Sequence, residues 1–390
     1  ILGKHTDYCG GQSLVCATRL GIAAVATPRT DSKIIVHSAG STVTFDSAAN
    51  PGSASGWAHY VATVTRRMAA NFPPLNRGME LSLAENLPRA AGLSSSSALL
   101  IAVFYALARI NRVSDHPAYR AAIRTSEELA SYLGCIENGQ NFGPLTGDAG
   151  VGTFGGSQDH AAIILARPVS ALRLSYGPLT VEQTVRLPKD HVWIIADSGV
   201  EAIKTGAAKD KYNRCSRLAQ QALAIWNQTA SEPAPTLFAA LAHSSAQRAQ
   251  VFDLLAHQPD GPTLVARARQ LWHEAGEILP AAVLTLEQNN LTRFGELVDQ
   301  SQSAAAADLG NQISETIALA AHARRLGALA ASAFGAGFGG AVWALVPQPI
   351  AETFGTAWLQ AYHTDFPTRT ARIFLTTAST GAVETLNAKR

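Results

Sequence analysis

Residues 88–98, Pro88-Arg89-Ala90-Ala91-Gly92-Leu93-Ser94-Ser95-Ser96-Ser97-Ala98, constrain this chain more than any other stretch. An apolar, strand-like run (Met79 to Leu83) leads into them and an apolar helical run (Ala98 to Ile110) leaves them. A small-residue loop between a strand and a helix suits an anion, because loop amides and the helix N-terminus point at one spot of positive potential. Gly92 lets the backbone approach a ligand closely, and the hydroxyls add donors or a metal ligand. The competing reading is a plain Ser-capped helix after a polar turn. A cap needs one serine, however, and four stand here. The loop is not a Walker A sequence, since no Gly-Lys-Ser/Thr follows the glycine.

Two further glycine-bearing stretches frame this loop. Near the start runs Leu2-Gly3-Lys4-His5-Thr6-Asp7-Tyr8-Cys9-Gly10-Gly11, and late in the chain Gly335-Ala336-Gly337-Phe338-Gly339-Gly340. Pro-x-x-x-Gly-Leu-Ser-Ser-Ser resembles the nucleotide loop of the GHMP small-molecule kinases, with Ala90 where most of them carry Gly. The first stretch resembles the galactokinase signature and the last the C-terminal glycine-rich motif of the same family. Three motifs in family order, spread over nearly the whole chain, identify it as similar to that family.

The resemblance implies an α+β chain of two-domain GHMP architecture. It has an N-terminal domain with a left-handed β-α-β nucleotide-binding unit (1–190), a ferredoxin-like C-terminal domain (191–390) and an active site between them. Length agrees, because 390 residues exceed one ordinary core. So does the alternation of helical runs with separated strands. Strands are expected at Ile34 to Val36, Thr42 to Phe45, Met79 to Leu83, Ala161 to Ala166, Val192 to Ala196, Ala341 to Val346 and Arg372 to Thr377. Helices are expected at Trp57 to Ala70, Ala98 to Ile110, Ala118 to Cys135 and Tyr212 to Asn227, with a Pro/Gly/Ser loop at Asn50 to Gly56. Glu137 to Gly156 reads as irregular and glycine-rich, a length that in a compact domain marks function.

The implied activity is phosphoryl transfer from ATP to the anomeric hydroxyl of a sugar, giving a sugar 1-phosphate and ADP. Such chemistry needs the phosphates held, their charge neutralised and the acceptor oxygen aligned. By resemblance the nucleotide falls to Pro88, Gly92, Leu93, Ser94, Ser95, Ser96 and Ser97, with Trp57 beside the adenine. Mg²⁺ falls to Ser96 and a carboxylate. Glu137 fits the end of the family's helix but stands farther from Asp159 than usual, while Asp148 has the nearer spacing in a loop. Glu137 is preferred. Asp159, in Gly156-Ser157-Gln158-Asp159-His160, matches the catalytic aspartate, with His160 where galactokinases carry Gln. The sugar falls to Lys4, His5, Asp7, Gly156 and Tyr212. The arginines that follow this tyrosine in galactokinases are unmatched at Cys215 and Ser216. Lys4 replaces a Glu that accepts from a sugar hydroxyl; Lys donates and cannot accept. This opens a uronic acid as an alternative substrate, against a Lys that points to solvent, pairs with a nearby Asp or stands in for an arginine expected before Ile1. The further alternatives are a kinase for a non-sugar alcohol such as mevalonate or homoserine, and a non-catalytic sugar and ATP sensor.

Composition narrows the partners. A net charge of +2 without a Lys/Arg cluster gives no electrostatic case for nucleic acid. No apolar run approaches the ~18 residues that span a bilayer, and no signal peptide is visible. Cys9, Cys16, Cys135 and Cys215 show neither metal pairs nor a disulfide framework, so free thiols in a reducing cytoplasm are expected. The chain opens on Ile1 inside a motif, and is expected to lack its true start. Nothing in it fixes an oligomeric state.

Overall fold

The structure, a computed structural model, describes residues 1–46, 54–88, 91–202 and 207–382. Most of the loop expected at Asn50 to Gly56, and both Arg89 and Ala90, lie outside these residues. The fold is α+β, and the chain forms two compact units. One comprises Leu20–Leu87 and Ser94–Leu165; the other comprises Ile1–Arg19, Pro88–Leu93 and the chain from Ala166 onward.

The first unit is a four-stranded sheet covered by helices. Strands Lys33–Ser38 and Ser41–Asp46 form a hairpin whose two turn residues, Ala39 and Gly40, both have positive φ, as a tight primed turn requires. Strand Met79–Glu85 returns parallel to Lys33–Ser38 after helix Ala58–Asn71, which makes the β-α-β unit. Its far edge pairs antiparallel with Ile22–Pro28. Ile34, Val36, Met79 and Leu81 point inward with Val64, Met68, Leu100 and Phe104, the period of two on the strands meeting the helical period. Fully buried Tyr132 sets its ring edge-on to Phe72 and Phe104 at 5.7 and 6.0 Å.

Two expectations fail in this unit. The run Ala118 to Cys135 is not one helix but two, Pro117–Ala122 and Ser126–Asn138. The second starts at a capping box: Thr125 Oγ1 accepts from the Glu128 amide, and Glu128 Oε2 accepts from that of Thr125. The apolar stretch Ala161 to Ala166 is not a strand. It belongs to helix Gln158–Leu165, since a short apolar run buried against neighbours suits either element and periodicity does not separate them.

In the other unit, strands His191–Asp197, Ala330–Ala333, Ala341–Pro347 and Arg372–Thr376 form an antiparallel sheet. Helices precede Ala330–Ala333, and helix Ala351–Asp365 precedes Arg372–Thr376. This β-α-β-β-α-β order, with His191–Asp197 central beside Ala341–Pro347, is ferredoxin-like. Both central strands are nearly continuous runs of buried residues. Beneath them Trp358, fully buried, donates its indole N–H to Leu319 O at 2.9 Å. A second cluster, from Ala219, Trp226, Leu264 and Leu271 of a helical layer, closes over Cys9. Gln12–Val15, Ser170–Ser175 and Thr180–Arg186 make a three-stranded sheet.

Candidate active site

The serine stretch turns a strand end into a helix. Ser94 takes a left-handed conformation at φ +58° without a side-chain cap bond, and the helix begins at Ser95, three residues before the apolar run. Ser95, Ser96 and Ser97 therefore occupy its first turn, where the amides are not used by the helix itself. Ser94, Ser95 and Ser96 are half-buried, and Ser97 is buried. Trp57 flanks the start of helix Ala58–Asn71, half-buried.

Ser97 points at the acidic residue. Its Oγ donates to Glu137 Oε2 at 3.0 Å, so Ser97 rather than Ser96 meets the carboxylate chosen from the sequence. Glu137 sits in the last turn of helix Ser126–Asn138, 7% exposed. His160 brings Nε2 to 3.2 Å of the same oxygen. Asp148 is committed elsewhere: Arg66 Nε donates to it at 2.7 Å, with Arg67 at 3.8 Å. Asp159 stands in the first turn of helix Gln158–Leu165, half-buried. The approach to it depends on Gly134, where a side chain would meet Ser157 at 3.0 Å and Gly156 O at 3.1 Å. Gly134 was not singled out from the sequence, because a glycine inside a helical run gives no sign of what crosses it.

In the other unit the signature stretch is clamped from several sides. His5 Nε2 donates to Ala336 O at 3.3 Å, which leaves Nδ1 to accept from Tyr8 Oη at 2.6 Å. Burial pushes the Tyr8 hydroxyl well above its ordinary range, against the nearby Arg267 charge, so it stays a donor. The His5 ring lies 4.9 Å from that of Tyr212. Asp7 opens a short 3-10 turn and is half-buried.

Arg267 is a second residue that sequence reasoning missed. It is 1% exposed and donates to His5 O at 2.6 Å, Cys9 Sγ at 3.0 Å, Cys215 O at 3.2 Å and Gln270 Oε1 at 2.6 Å. It lies in an ordinary amphipathic helix far along the chain, with no local signal. Lys4 is equally deep. Nζ donates to Ser301 Oγ and Ser332 Oγ at 2.9 and 2.8 Å. The Gly3 and Lys4 amides donate to buried Glu274 at 2.6 and 3.2 Å. Desolvation lowers the Lys4 pKa, partly offset by the Glu274 charge. Its ammonium thus points neither to solvent nor to an aspartate.

The glycine-rich stretch Gly335 to Gly340 ties these parts together. Ala336 O receives His5, Phe338 N donates to Asn311 O at 2.6 Å, and Asn311 Nδ2 donates to Gly335 O at 3.0 Å. At its end Ala341 N donates to Ala91 O at 2.9 Å, just before Gly92. Gly340, at φ +82°, has room for no side chain, since a Cβ would stand 2.7 Å from Ala91 O.

A signature whose buried His meets a glycine loop in one unit, and a serine-bearing helix start beside a carboxylate in the other, are the parts of a small-molecule kinase. Residues 59–145 match the GHMP kinases N-terminal domain, and 282–364 match the GHMP kinases C-terminal domain. Over these two stretches the chain is similar to the GHMP kinases. Its full-length similarity is to galactokinases. It is 29% identical to the galactokinase of Roseiflexus sp., over 98% of this chain and 89% of that one. With that of Exiguobacterium sibiricum it shares 28%, over 98% and 91%. The galactokinase of Lactococcus lactis, solved with galactose, superposes with a TM-score of 0.80 at 24% identity, over 97% of this chain and 91% of that one. A mevalonate kinase of Methanococcus jannaschii superposes at 0.58 with 12% identity, over 97% and 95%.

Proposed function

We propose that this chain is an ATP-dependent sugar kinase that phosphorylates the anomeric hydroxyl of a hexose, with galactose as the first candidate. The observation that carries the reading is the glycine-rich loop, which bonds the sugar-type signature at His5 and the nucleotide stretch at Ala91. The galactokinase relatives along the whole chain support it. In this reading the amides of the Ser95 helix start and the loop around Gly92 hold the phosphates. Asp159 accepts or orients the proton of the attacking hydroxyl. The donor set of Glu137 with a serine hydroxyl fits Mg²⁺, which takes few protein oxygens and keeps its waters. Bound there, the ion would neutralise phosphate charge during transfer. Asp7, Tyr212 and Gly156 are assigned to the sugar, together with His5, whose Nε2–H would exchange its long contact with Ala336 for a sugar oxygen. Because Lys4 Nζ is spent on two serines, a neutral hexose suits the site better than a uronic acid. The test is ADP release with Mg·ATP over galactose, glucose, galacturonate, mevalonate and homoserine, with the product located by ³¹P and ¹H spectroscopy. Galactose-dependent ADP release with phosphate on C1 is expected. Release that needs no sugar, or is driven only by a non-sugar alcohol, would overturn the proposal.

A further inference from the structure

His160 is fully buried at 1% exposure, yet neither Nδ1 nor Nε2 has a hydrogen-bond partner. Buried polar groups in folded proteins are almost always bonded, so an imidazole left this way asks for a ligand. Its Nε2 lies 3.2 Å from Glu137 Oε2 without the alignment of a hydrogen bond. Ser97 Oγ lies 3.0 Å from the same oxygen. Neighbouring ligands of an octahedral ion with bonds of about 2.1 Å stand roughly 3 Å apart. Both separations match that spacing. We propose that His160 supplies an imidazole nitrogen to the divalent ion held by Glu137 and Ser97, and that it tunes the site away from Mg²⁺ toward Mn²⁺ or Co²⁺. The inference rests on the kinase reading above, which assigns the same carboxylate to the ion.

The chemistry follows from the donor type. Mg²⁺ is a hard ion that takes oxygen ligands, whereas an imidazole nitrogen favours the later divalent metals. Among the described residues no trio of His, Cys, Asp or Glu is gathered for a metal. The Ser97 hydroxyl therefore completes the protein's share, and phosphate oxygens and water fill the remaining positions.

The experiment measures binding rather than turnover. Mn²⁺ and Mg²⁺ affinities are determined in the presence of ¹⁵N-labelled ADP for the wild type and His160→Gln. Pulsed electron paramagnetic resonance of the Mn²⁺ complex then looks for ¹⁴N coupling, whose only source near the ion is the protein. The Mn²⁺/Mg²⁺ affinity ratio is expected to fall roughly tenfold in His160→Gln, with ¹⁴N coupling present in the wild type and lost in the variant. Equal weakening of both metals would make His160 a prop behind Glu137 and overturn ligation. So would a wild-type spectrum without ¹⁴N coupling, which decides the matter even if the variant does not fold. Sugar-dependent ADP release, measured separately on the wild type, tells failure of this inference from failure of the kinase reading.

Discussion

Asp159, Arg267 and the cysteines show how much one residue's surroundings decide. Asp159 is assigned to the attacking hydroxyl, while the nucleotide is assigned to amides that a substitution there does not touch. Asp159→Asn should therefore lower kcat by roughly a hundredfold or more, as loss of a positioned base does, with ATP affinity within a few-fold; steady-state kinetics and nucleotide titration check both. Arg267 spends its donors on two backbone oxygens, an amide oxygen and a thiol inside the protein. Arg267→Met leaves those buried acceptors unmade at about 1–3 kcal/mol each, so a loss of more than 2 kcal/mol in a urea titration is expected. The thiols follow from burial. Desolvation pushes Cys9 up to about 12 despite Arg267, and raises Cys16, Cys135 and Cys215 as well. Since the thiolate is the nucleophile, all four should resist a thiol reagent at pH 7 in the native protein and react once it is unfolded.

At the scale of elements, the decisive pieces are a loop and a helix crossing. The loop Gly335 to Gly340 reaches the nucleotide stretch through Ala341 N and Ala91 O, and Gly340 lies against that carbonyl in a conformation that strains an L-residue. Gly340→Ala is expected to cost about 1–3 kcal/mol and to raise the KM for ATP more than that for the sugar. An unchanged ATP KM would separate this loop from nucleotide binding. The crossing is at Gly134, where the segment leading to Asp159 rests on helix Ser126–Asn138. Gly134→Val forces that segment away, so kcat should fall at least tenfold even where the melting temperature changes little; a variant with normal kcat would show that Asp159 is held by other means.

For the molecule as a whole, stability rests on the core under the ferredoxin-like sheet and on the polar clusters buried beside it. Trp358 is fully buried and bonded to Leu319 O, so Trp358→Ala should cost about 3–5 kcal/mol, read by denaturant titration. Lys4 gives stability a pH dependence. Its folded pKa lies below the 10.5 of the free side chain, chiefly through desolvation, so the unfolded chain holds the proton more tightly. The resulting penalty is complete below the folded value and is relieved as pH rises from there toward 10.5. The stability of the wild type relative to Lys4→Met should accordingly climb between pH 7 and pH 10. A flat difference would mean that Lys4 keeps an ordinary pKa in the fold.

The sequence by itself determined the three motifs, the strand and helix that flank the serines, and most other elements. These are local: glycine, serine and hydrophobic period act within a few positions of themselves. Whether Ala161 to Ala166 would be helix or strand was not local, because burial suits both and the neighbours chose. Nor was the partner of Glu137, since which of four adjacent serines faces a carboxylate forty residues later depends on where the helix begins. Arg267 under His5, Lys4 between Ser301 and Ser332, and Ala91 against Ala341 join positions hundreds of residues apart. Only the tertiary structure decided these pairs, because a contact between distant residues exists once the chain has closed around it, and no side chain carries its address.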